Sequence, residues 1–274
     1  MRTLLVWATE TLRTCLKGAP EGSADTPYLD ALVLLGHATG WPTERVLASL
    51  PDELDEATLA LFTEYLGQRC TGRPVSYVRG VKEFYGRDFL VSPAVLVPRP
   101  DTEVLVEIVL RLVRDGVGAP LHIHDACTGS GCIAVTVAAE STEKRNAPIA
   151  RQENRAGRPG AVVTASDIDP DALELARANA TTHAPHLAGL WRSDLLAELP
   201  ARSDELGLPL PRIITANPPY LTDTEYEKMR SSGWPEPAHA LRGGPDGLNL
   251  VRRLVDEAVT VLPRNGYLVV EIGP

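Results

Sequence analysis

The stretch Asp125-Ala126-Cys127-Thr128-Gly129-Ser130-Gly131 joins an apolar run over 121–125 to a small-residue run over 133–140. The first run predicts a short strand and the second a helix. A glycine-rich turn between them lets backbone N–H groups approach a ligand, and the helix start favours a negative group such as a carboxylate. Asp125 can then receive the ligand's ammonium group. Taken alone, the turn is equally compatible with a purely structural role.

The C-terminal part of the chain repeats this alternation of strand and helix. Apolar runs and periodic segments that predict strands and helices follow one another over 102–114, 161–165, 171–180, 187–191, 212–216, 248–262 and 267–272. Strands separated by helices of ten or more residues lie parallel, with right-handed crossovers. We therefore predict an α/β fold: a doubly wound, mostly parallel, Rossmann-like sheet.

The first 75 residues predict a small helical domain. Helices are expected near the N-terminus, over 28–37 and over 55–69, the last with Leu59, Phe62 and Leu66 on one face. A β-hairpin that turns at Gly86 and a proline-rich connector follow over 76–100. The predicted boundaries are thus 1–75 for the helical domain, 76–100 for the hairpin and connector, and 101–274 for the sheet domain.

Composition excludes several classes of protein. The net charge of -9 is a poor basis for non-specific nucleic-acid binding, which depends on neutralising phosphates. The four cysteines form no CxxC pair, so neither a zinc site nor a disulfide framework is indicated, and a reducing cytosol suits them. No apolar run approaches a membrane span and no signal peptide is evident, so we expect a cytoplasmic protein.

A basic stretch over 141–160, with glycine and proline, interrupts the alternation. Its composition predicts a solvated surface loop, with a partner contact as the alternative.

Acidic residues follow the predicted strand over 161–165. Asp167 can accept hydrogen bonds from both ribose hydroxyls of a nucleoside ligand, whereas Asp169 is expected to cap the helix that opens at Pro170. These features alone are equally compatible with binding of a nicotinamide dinucleotide.

The fourth strand decides against a dehydrogenase, because it ends in Asn217-Pro218-Pro219-Tyr220. The prolines fix φ and remove two backbone donors, leaving carbonyl groups free. The Asn217 side-chain oxygen and the Pro218 carbonyl can each accept one hydrogen from a substrate NH2 group, while Tyr220 stacks on the flat amide or base. A nitrogen held in this way lies in line with a sulfonium methyl group. The alternative is a rigid turn.

An amide nitrogen is a poor nucleophile, because its lone pair is delocalised. No strong base is required, since the proton becomes acidic once methyl transfer begins. Positioning of the substrate can lower the activation barrier by roughly 7–11 kcal/mol, and the two aligned acceptors lower it further.

Several further motifs occur in a fixed order along the chain. They are Pro98-Arg99-Pro100-Asp101-Thr102-Glu103, the turn over 125–131, the tetrapeptide over 217–220, Glu236-Pro237, Ala240-Leu241, Gly244-Pro245-Asp246-Gly247-Leu248 and Glu271-Ile272-Gly273. Together they closely resemble the HemK/PrmC family, the release factor glutamine N5-methyltransferases, over nearly the whole chain. The tetrapeptide alone is shared with DNA amino-methyltransferases; the connector and the Asp-Gly-Leu segment are far more specific.

The resemblance implies methyl transfer from S-adenosyl-L-methionine to the glutamine of the Gly-Gly-Gln loop in class-I peptide chain release factors. The helical domain would help to grip that protein substrate. Positions carried over to the cofactor pocket are Asp125, Cys127, Thr128, Gly129, Ser130, Gly131, Asp167, Asp194, Leu195 and Asn217. Positions carried over to the substrate glutamine are Asn217, Pro218, Pro219 and Tyr220. We expect no direct nucleic-acid contact, no membrane contact and a monomer.

Two departures from the family pattern matter. Cys127 stands where many members have glycine, so a positive φ is not expected there. The family's sheet continues past Glu271-Ile272-Gly273 with a helix and a closing pair of strands, which this sequence lacks. The expectation is therefore either a fragment or an exposed edge at the fifth strand.

Four further residues are predicted to have structural roles. Asp101 or Thr102 is expected to cap a helix, with Glu103 favouring its N-terminus over a catalytic role. His122 and His124 alternate along a strand, so they should share a face and lie in the core.

Two rival functions remain open at this stage. A DNA amino-methyltransferase shares the chemistry but needs a basic groove, which the acidic composition does not offer. A truncated, non-catalytic protein that binds release factor or nucleoside is the other.

Overall fold

The computed structural model describes residues 1–17, 26–49, 53–116, 121–143, 161–231 and 233–273. Nearly all of the basic stretch predicted as a surface loop over 141–160 therefore lies outside the described residues. The chain divides into two compact units, one formed by Met1–Val81 with Glu227–Pro235 and the other by Lys82–Tyr226 with Glu236–Pro274. Among the described helices, none has the length and apolar character needed to cross a bilayer.

The first unit is built from helices. They are α1 (Arg2–Cys15), α2 (Pro27–Thr39), α3 (Thr43–Ala48), α4 (Glu56–Cys70) and α5 (Val75–Arg79). Phe62 and Leu66 of α4 are buried, but Leu59 is 40% exposed, so its predicted place on the buried face is wrong. The buried stripe of α4 is narrow, and Leu59 lies one turn before Phe62 at its border. Asp55 caps this helix by accepting a hydrogen bond from the Thr58 amide at 2.8 Å.

Cys15 and Cys70 form a disulfide in this unit, which corrects the expectation that the cysteines are unpaired. Cys15 ends α1 and Cys70 ends α4, and their Cα atoms are 5.4 Å apart, within the range that a disulfide requires. The two residues are separated by 55 positions, and only helix packing brings them together. No short-range cysteine motif could therefore reveal the pair.

A hairpin opens the second unit, with strands β1 (Val81–Phe84) and β2 (Arg87–Leu90). Tyr85 and Gly86 both have positive φ, 53° and 74°, as a two-residue type I′ turn requires. The hairpin begins only at Val81, after the predicted boundary at residue 76, because α5 follows its N-cap Pro74 and ends at the left-handed Gly80.

The main sheet is parallel throughout and has the order β5-β4-β3-β6-β9. Its strands are β3 (His122–Ala126), β4 (Val162–Asp167), β5 (Gly189–Arg192), β6 (Ile213–Ala216) and β9 (Tyr267–Val270). The helices between and around them are α6 (Thr102–Asp115), α7 (Cys132–Glu143), α8 (Pro170–His183), α9 (Leu199–Glu205), α10 (Asp223–Ser231) and α11 (Asn249–Val261). A small pair, β7 (Leu221–Thr222) and β8 (Arg242–Gly244), was not predicted. This architecture confirms the predicted doubly wound α/β class.

Central strand β3 carries the two histidines on one buried face, as predicted. His122 bonds the Pro209 carbonyl through Nδ1 at 2.7 Å and the Thr164 hydroxyl through Nε2 at 2.8 Å. His124 bonds the same hydroxyl through Nδ1 at 2.9 Å and the Ser166 hydroxyl through Nε2 at 3.0 Å. One direction of donation satisfies the whole chain: Ser166 to His124, His124 to Thr164, Thr164 to His122, and His122 to the carbonyl. Both rings are then neutral.

Replacing His124 with glutamine is expected to weaken the acid sensitivity of folding. Burial lowers the pKa of His124 from 6.5 to about 3, so only the unfolded chain takes up this proton as the pH falls below 6.5. Between about pH 6 and about pH 5, the unfolding free energy of the wild type should fall by about 1 kcal/mol more than that of the variant. Urea titrations at both pH values measure this difference. Equal losses in the two proteins would contradict it.

Candidate active site

A cavity of about 360 Å³ opens at the carboxyl ends of β3, β4, β5 and β6. This is the edge of an open α/β sheet at which ligands bind. The residues predicted for the site that line it are Cys127, Thr128, Gly129, Ser130, Asp167, Asp194, Leu195, Asn217 and Pro219. Asp125, Gly131, Pro218 and Tyr220 are not among its lining residues.

The turn after β3 has the strained backbone of a ligand-binding loop. Gly129 and Gly131 have φ of 55° and 81°, and Cys127 also has a positive φ of 55°. The expectation that Cys127 could not take this conformation is wrong: the neighbouring Thr128 amide donates to the Ser166 carbonyl at 3.0 Å, which ties the turn to β4. A non-glycine residue in this region costs about 1–3 kcal/mol. Burial raises the pKa of the Cys127 thiol, so it stays protonated.

Gly129 and Gly131 serve different purposes in this turn. A side chain at Gly131 would press against Ala176 of α8 at 3.2 Å, so this glycine permits close packing of helices. A Cβ at Gly129 would meet no protein atom within 4 Å, so the space beside its backbone is open to a ligand.

The predicted contact between Asp125 and a ligand's ammonium group is wrong, because the Asp125 carboxylate does not reach the cavity. The side chain is 1% exposed, and its two oxygens accept hydrogen bonds from the hydroxyls of Thr128 and Thr215, both at 2.6 Å. Burial raises the pKa of Asp125 to about 7. The residue therefore braces the turn against β6 from behind and is not available to a ligand's ammonium group.

Asp167 does reach the cavity, at the end of β4. Its Oδ2 accepts from the Gly129 amide at 2.8 Å, and its Oδ1 accepts from the Asp169 amide at 3.0 Å. Burial raises its pKa, whereas these two bonds act in the opposite direction. Each oxygen keeps a further lone pair for a ligand hydroxyl. Asp169 caps α8 as predicted, accepting from the Asp171 amide at 2.8 Å.

Replacing Asp167 with alanine is expected to weaken binding of S-adenosyl-L-methionine, the cofactor that the family resemblance implies, by about 1–3 kcal/mol, because polar groups in the cavity are left unpaired. Titration calorimetry with S-adenosyl-L-methionine measures the change. Asp171→Ala is the matched control, because that carboxylate is exposed on the first turn of α8, shortly after β4. If Asp167→Ala bound the cofactor as tightly as the control, the carboxylate would have only a structural role.

The segment after β5 brings Asp194 and Leu195 to the cavity wall. The Leu195 side chain is buried, with 5% of the residue exposed. Its backbone has a positive φ of 50°, which is a strained conformation for leucine. Asp194 forms an ion pair with Arg253 at 3.0 Å, and Arg253 also lines the cavity. An apolar wall beside a paired carboxylate suits a flat, partly polar ring.

Asn217 follows β6 and presents a bare acceptor. Its Oδ1 is buried and has no hydrogen-bond partner among the described residues. A buried acceptor without a partner, in a residue that lines a cavity, indicates a place for a donor on a ligand.

Two glycines, Gly243 and Gly247, hold this tetrapeptide in place, a role that the sequence interpretation did not assign to them. A side chain at Gly243 would collide with the Gly247 carbonyl and come within 2.7 Å of the Pro219 carbonyl. A side chain at Gly247, whose φ is 76°, would collide with the Tyr220 carbonyl. The segment over 243–247 therefore packs backbone to backbone against the loop, and the Tyr220 ring packs against Gly273 rather than lining the cavity.

The proline-rich connector forms another wall, which the sequence did not reveal. Its residues at the cavity are Ala94, Val95, Leu96, Pro98, Arg99 and, at the start of α6, Thr102. Glu236 anchors it, accepting from the Val97 amide at 2.9 Å and from Arg99 at 2.5 Å. Asp101 occupies the N-cap position of α6 but its side chain makes no capping hydrogen bond, so the expected cap is absent. Glu103 lies in the first turn of α6, as expected, and accepts from the Tyr85 amide at 3.0 Å. The signal that could have found the wall is the pairing of two motifs, Pro98-Arg99-Pro100 and Glu236-Pro237.

These features fit a nucleoside cofactor with an amino-acid tail: an open glycine backbone, a buried carboxylate at the end of β4 and an apolar wall after β5. With the Asn217 acceptor beside them, the fold and the site define a class I methyltransferase that depends on S-adenosyl-L-methionine.

Comparison with known proteins supports this class and narrows it. Residues 3–80 match the family model described as the PrmC N-terminal domain. A release factor glutamine methyltransferase of Nitratidesulfovibrio vulgaris is 37% identical over 265 residues, covering 96% of this chain and 81% of that protein. One of Koribacter versatilis is 35% identical, with 95% and 84% covered, and one of Moorella thermoacetica is 37% identical, with 96% and 84% covered. The chain belongs to the release factor glutamine methyltransferase family.

Proposed function

We propose that this chain transfers a methyl group from S-adenosyl-L-methionine to the N5 amide nitrogen of the glutamine in the Gly-Gly-Gln motif of class-I peptide chain release factors. The observation that carries the proposal is the side chain of Asn217, which lines the same cavity as Asp167 and Gly129 and whose buried Oδ1 has no hydrogen-bond partner among the described residues. The names of the curated relatives support the choice of substrate.

The cofactor-binding residues are proposed from the cavity lining. The backbone over 127–130 would hold the amino-acid tail, Asp167 the ribose hydroxyls, and Asp194 with Leu195 the neighbourhood of the base. Bound there, the cofactor supplies a methyl group on a positively charged sulfur. Gly131 and Asp125 act indirectly, because they shape and brace the turn.

The substrate amide is proposed to lie on the tetrapeptide over 217–220. Asn217 Oδ1 accepts one hydrogen of the NH2 group, and the Pro218 carbonyl accepts the other. Two acceptors fix the plane of the amide and stabilise the positive charge that grows on its nitrogen. The chain then needs no strong base, since the nitrogen loses its proton readily once it carries that charge.

The helical unit is proposed to contact the release factor, since it corresponds to a separate N-terminal family domain. The net charge of -9 supports a protein rather than a nucleic acid as the macromolecular substrate. We propose that the chain acts as a monomer.

Mass spectrometry of release factor peptides tests the proposal. After incubation with the chain and the cofactor, the Gly-Gly-Gln peptide should gain the mass of one CH2 unit. A release factor with glutamate in place of that glutamine is the matched control and should gain none. Labelling of DNA without labelling of release factor would favour a DNA amino-methyltransferase. No labelling, together with no cofactor binding in calorimetry, would favour a non-catalytic binding protein.

A further inference from the structure

We propose that Arg253 and Glu257 of α11 are positioning residues, which clamp the segment over 194–196 and thereby orient the Asp194 carboxylate toward the base of the cofactor. The inference deepens the proposed function and rests on it for the identity of the cofactor. It gives α11, the helix that precedes β9, a part in cofactor binding.

The segment over 194–196 has a backbone that requires support from its surroundings. Leu195 has a positive φ of 50°, a conformation that persists in a leucine only where neighbouring contacts hold it. The side chains of Leu195 and Leu196 are buried in a core cluster that also contains Leu254 and Ala258 of α11. This helix therefore belongs to the packing that holds the segment.

Two polar contacts from successive turns of α11 complete the clamp. Glu257 Oε2 accepts a hydrogen bond from the Leu196 amide at 2.9 Å, and Arg253 Nη2 donates to Asp194 Oδ2 at 3.0 Å. Arg253 also lies 3.5 Å from Glu257 Oε1, in the i,i+4 relation that places both side chains on one face of a helix. The contacts hold the strained Leu195 from both sides, through the residue before it and the residue after it.

The contact with Arg253 leaves Asp194 with one oxygen for a ligand. Oδ2 accepts from Arg253, and within the described part of the chain no side chain or amide donates to Oδ1. A carboxylate oxygen only accepts, so the ligand group that meets it must be a donor, such as the exocyclic amino group of adenine. Because an arginine that holds one oxygen restricts rotation of the carboxylate, Arg253 sets the direction in which the other oxygen accepts.

The exposure of the ion pair allows its role in binding to be separated from folding. The side chains of Arg253 and Asp194 are 48% and 50% exposed. Ion pairs that are this exposed contribute little to stability, so Arg253→Gln should fold like wild type. A change in cofactor binding by that variant then reports on the site.

The test measures binding of S-adenosylhomocysteine and of its deamino analogue, in which hydrogen replaces the amino group of the base, by titration calorimetry. Wild type should bind the first roughly tenfold to a hundredfold more tightly, the effect of a hydrogen bond to a charged group. Arg253→Gln should reduce this ratio by at least about threefold, the lower end of the coupling within one ion-pair network. Arg252→Gln is the matched control, because that neighbouring arginine pairs with Asp246 and lies outside the cavity lining.

Two further comparisons separate positioning from a structural role. In an Asp194→Ala background, Arg253→Gln should leave the ratio unchanged, because Arg253 acts only through that carboxylate. Glu257→Ala should weaken binding of S-adenosylhomocysteine about tenfold, since it leaves the Leu196 amide without its acceptor. Glu257→Gln keeps an acceptor oxygen and should bind within about threefold of wild type.

The inference is overturned if Arg253→Gln keeps the wild-type ratio, or if Glu257→Gln binds as weakly as Glu257→Ala. A wild type that methylates release factor but does not distinguish the two ligands would also overturn it, while the proposed function would stand. A wild type that shows the expected ratio, reduced in Arg253→Gln, but leaves release factor unmethylated would overturn the proposed function and keep the clamp.

Discussion

Asn217→Ala is expected to lower kcat for methyl transfer by roughly a hundred- to a thousandfold, the effect of removing one aligned group that stabilises charge in a transition state. Asn217 lines the cavity and its buried Oδ1 has no partner among the described residues, so the substitution would remove the hydrogen bond proposed to orient the substrate nitrogen. Affinity for the cofactor should change little, because Gly129 and Asp167 remain in place.

Single-turnover kinetics and calorimetry on the same preparation separate the two effects. Asn265→Ala is the matched control, since that side chain is exposed and lies outside the cavity. It should retain the activity and the affinity of wild type. An Asn217→Ala protein that turned over at the rate of this control would show that the loop does not hold the reacting group.

Gly243→Ala is expected to displace the tetrapeptide from behind and to lower both activity and stability. The added methyl group would collide with the Gly247 carbonyl and approach the Pro219 carbonyl, and neither backbone atom can rotate away as a side chain would. Overpacking of this kind costs about 1–3 kcal/mol of unfolding free energy. Because Pro219 lines the cavity, kcat should fall at least about tenfold, as it does when a misplacement of about 1 Å disturbs a reacting group.

Chemical denaturation and initial rates measure the two losses. Gly67→Ala provides the comparison, because a methyl group there, within α4, would meet nothing within 4 Å. Alanine in a helix is favoured over glycine, so this control should be neutral or more stable by up to about 1 kcal/mol. If Gly243→Ala behaved like the control, the segment over 243–247 would not position the loop.

The sheet and the edge at which ligands bind could be predicted from the sequence, because both depend on local pattern. Apolar runs and intervening helices determine a parallel sheet, and polar residues that follow the strands, such as Asp167 and Asn217, must then meet at its carboxyl edge. The role of Asp169 was equally accessible, since a helix cap is fixed by its immediate neighbours.

The predictions that failed depend on contacts between distant parts of the chain. Asp125 was assigned to a ligand, but Thr215, 90 residues away, occupies one of its oxygens. Glu236 brings the connector to the cavity by contacts that span 137 and 139 residues. Cys127 adopts a positive φ because β4 holds the turn. A cysteine by itself would not be expected to have a positive φ.

A crystal structure with S-adenosylhomocysteine and a Gly-Gly-Gln peptide tests most directly whether Asn217 holds the reacting amide. The glutamine side-chain nitrogen should lie about 2.7–3.2 Å from Asn217 Oδ1, the length of an N–H···O hydrogen bond, with its free face toward the cofactor sulfur. A peptide bound elsewhere, or an Asn217 oxygen turned out of the cavity bounded by Gly129 and Asp167, would contradict this account.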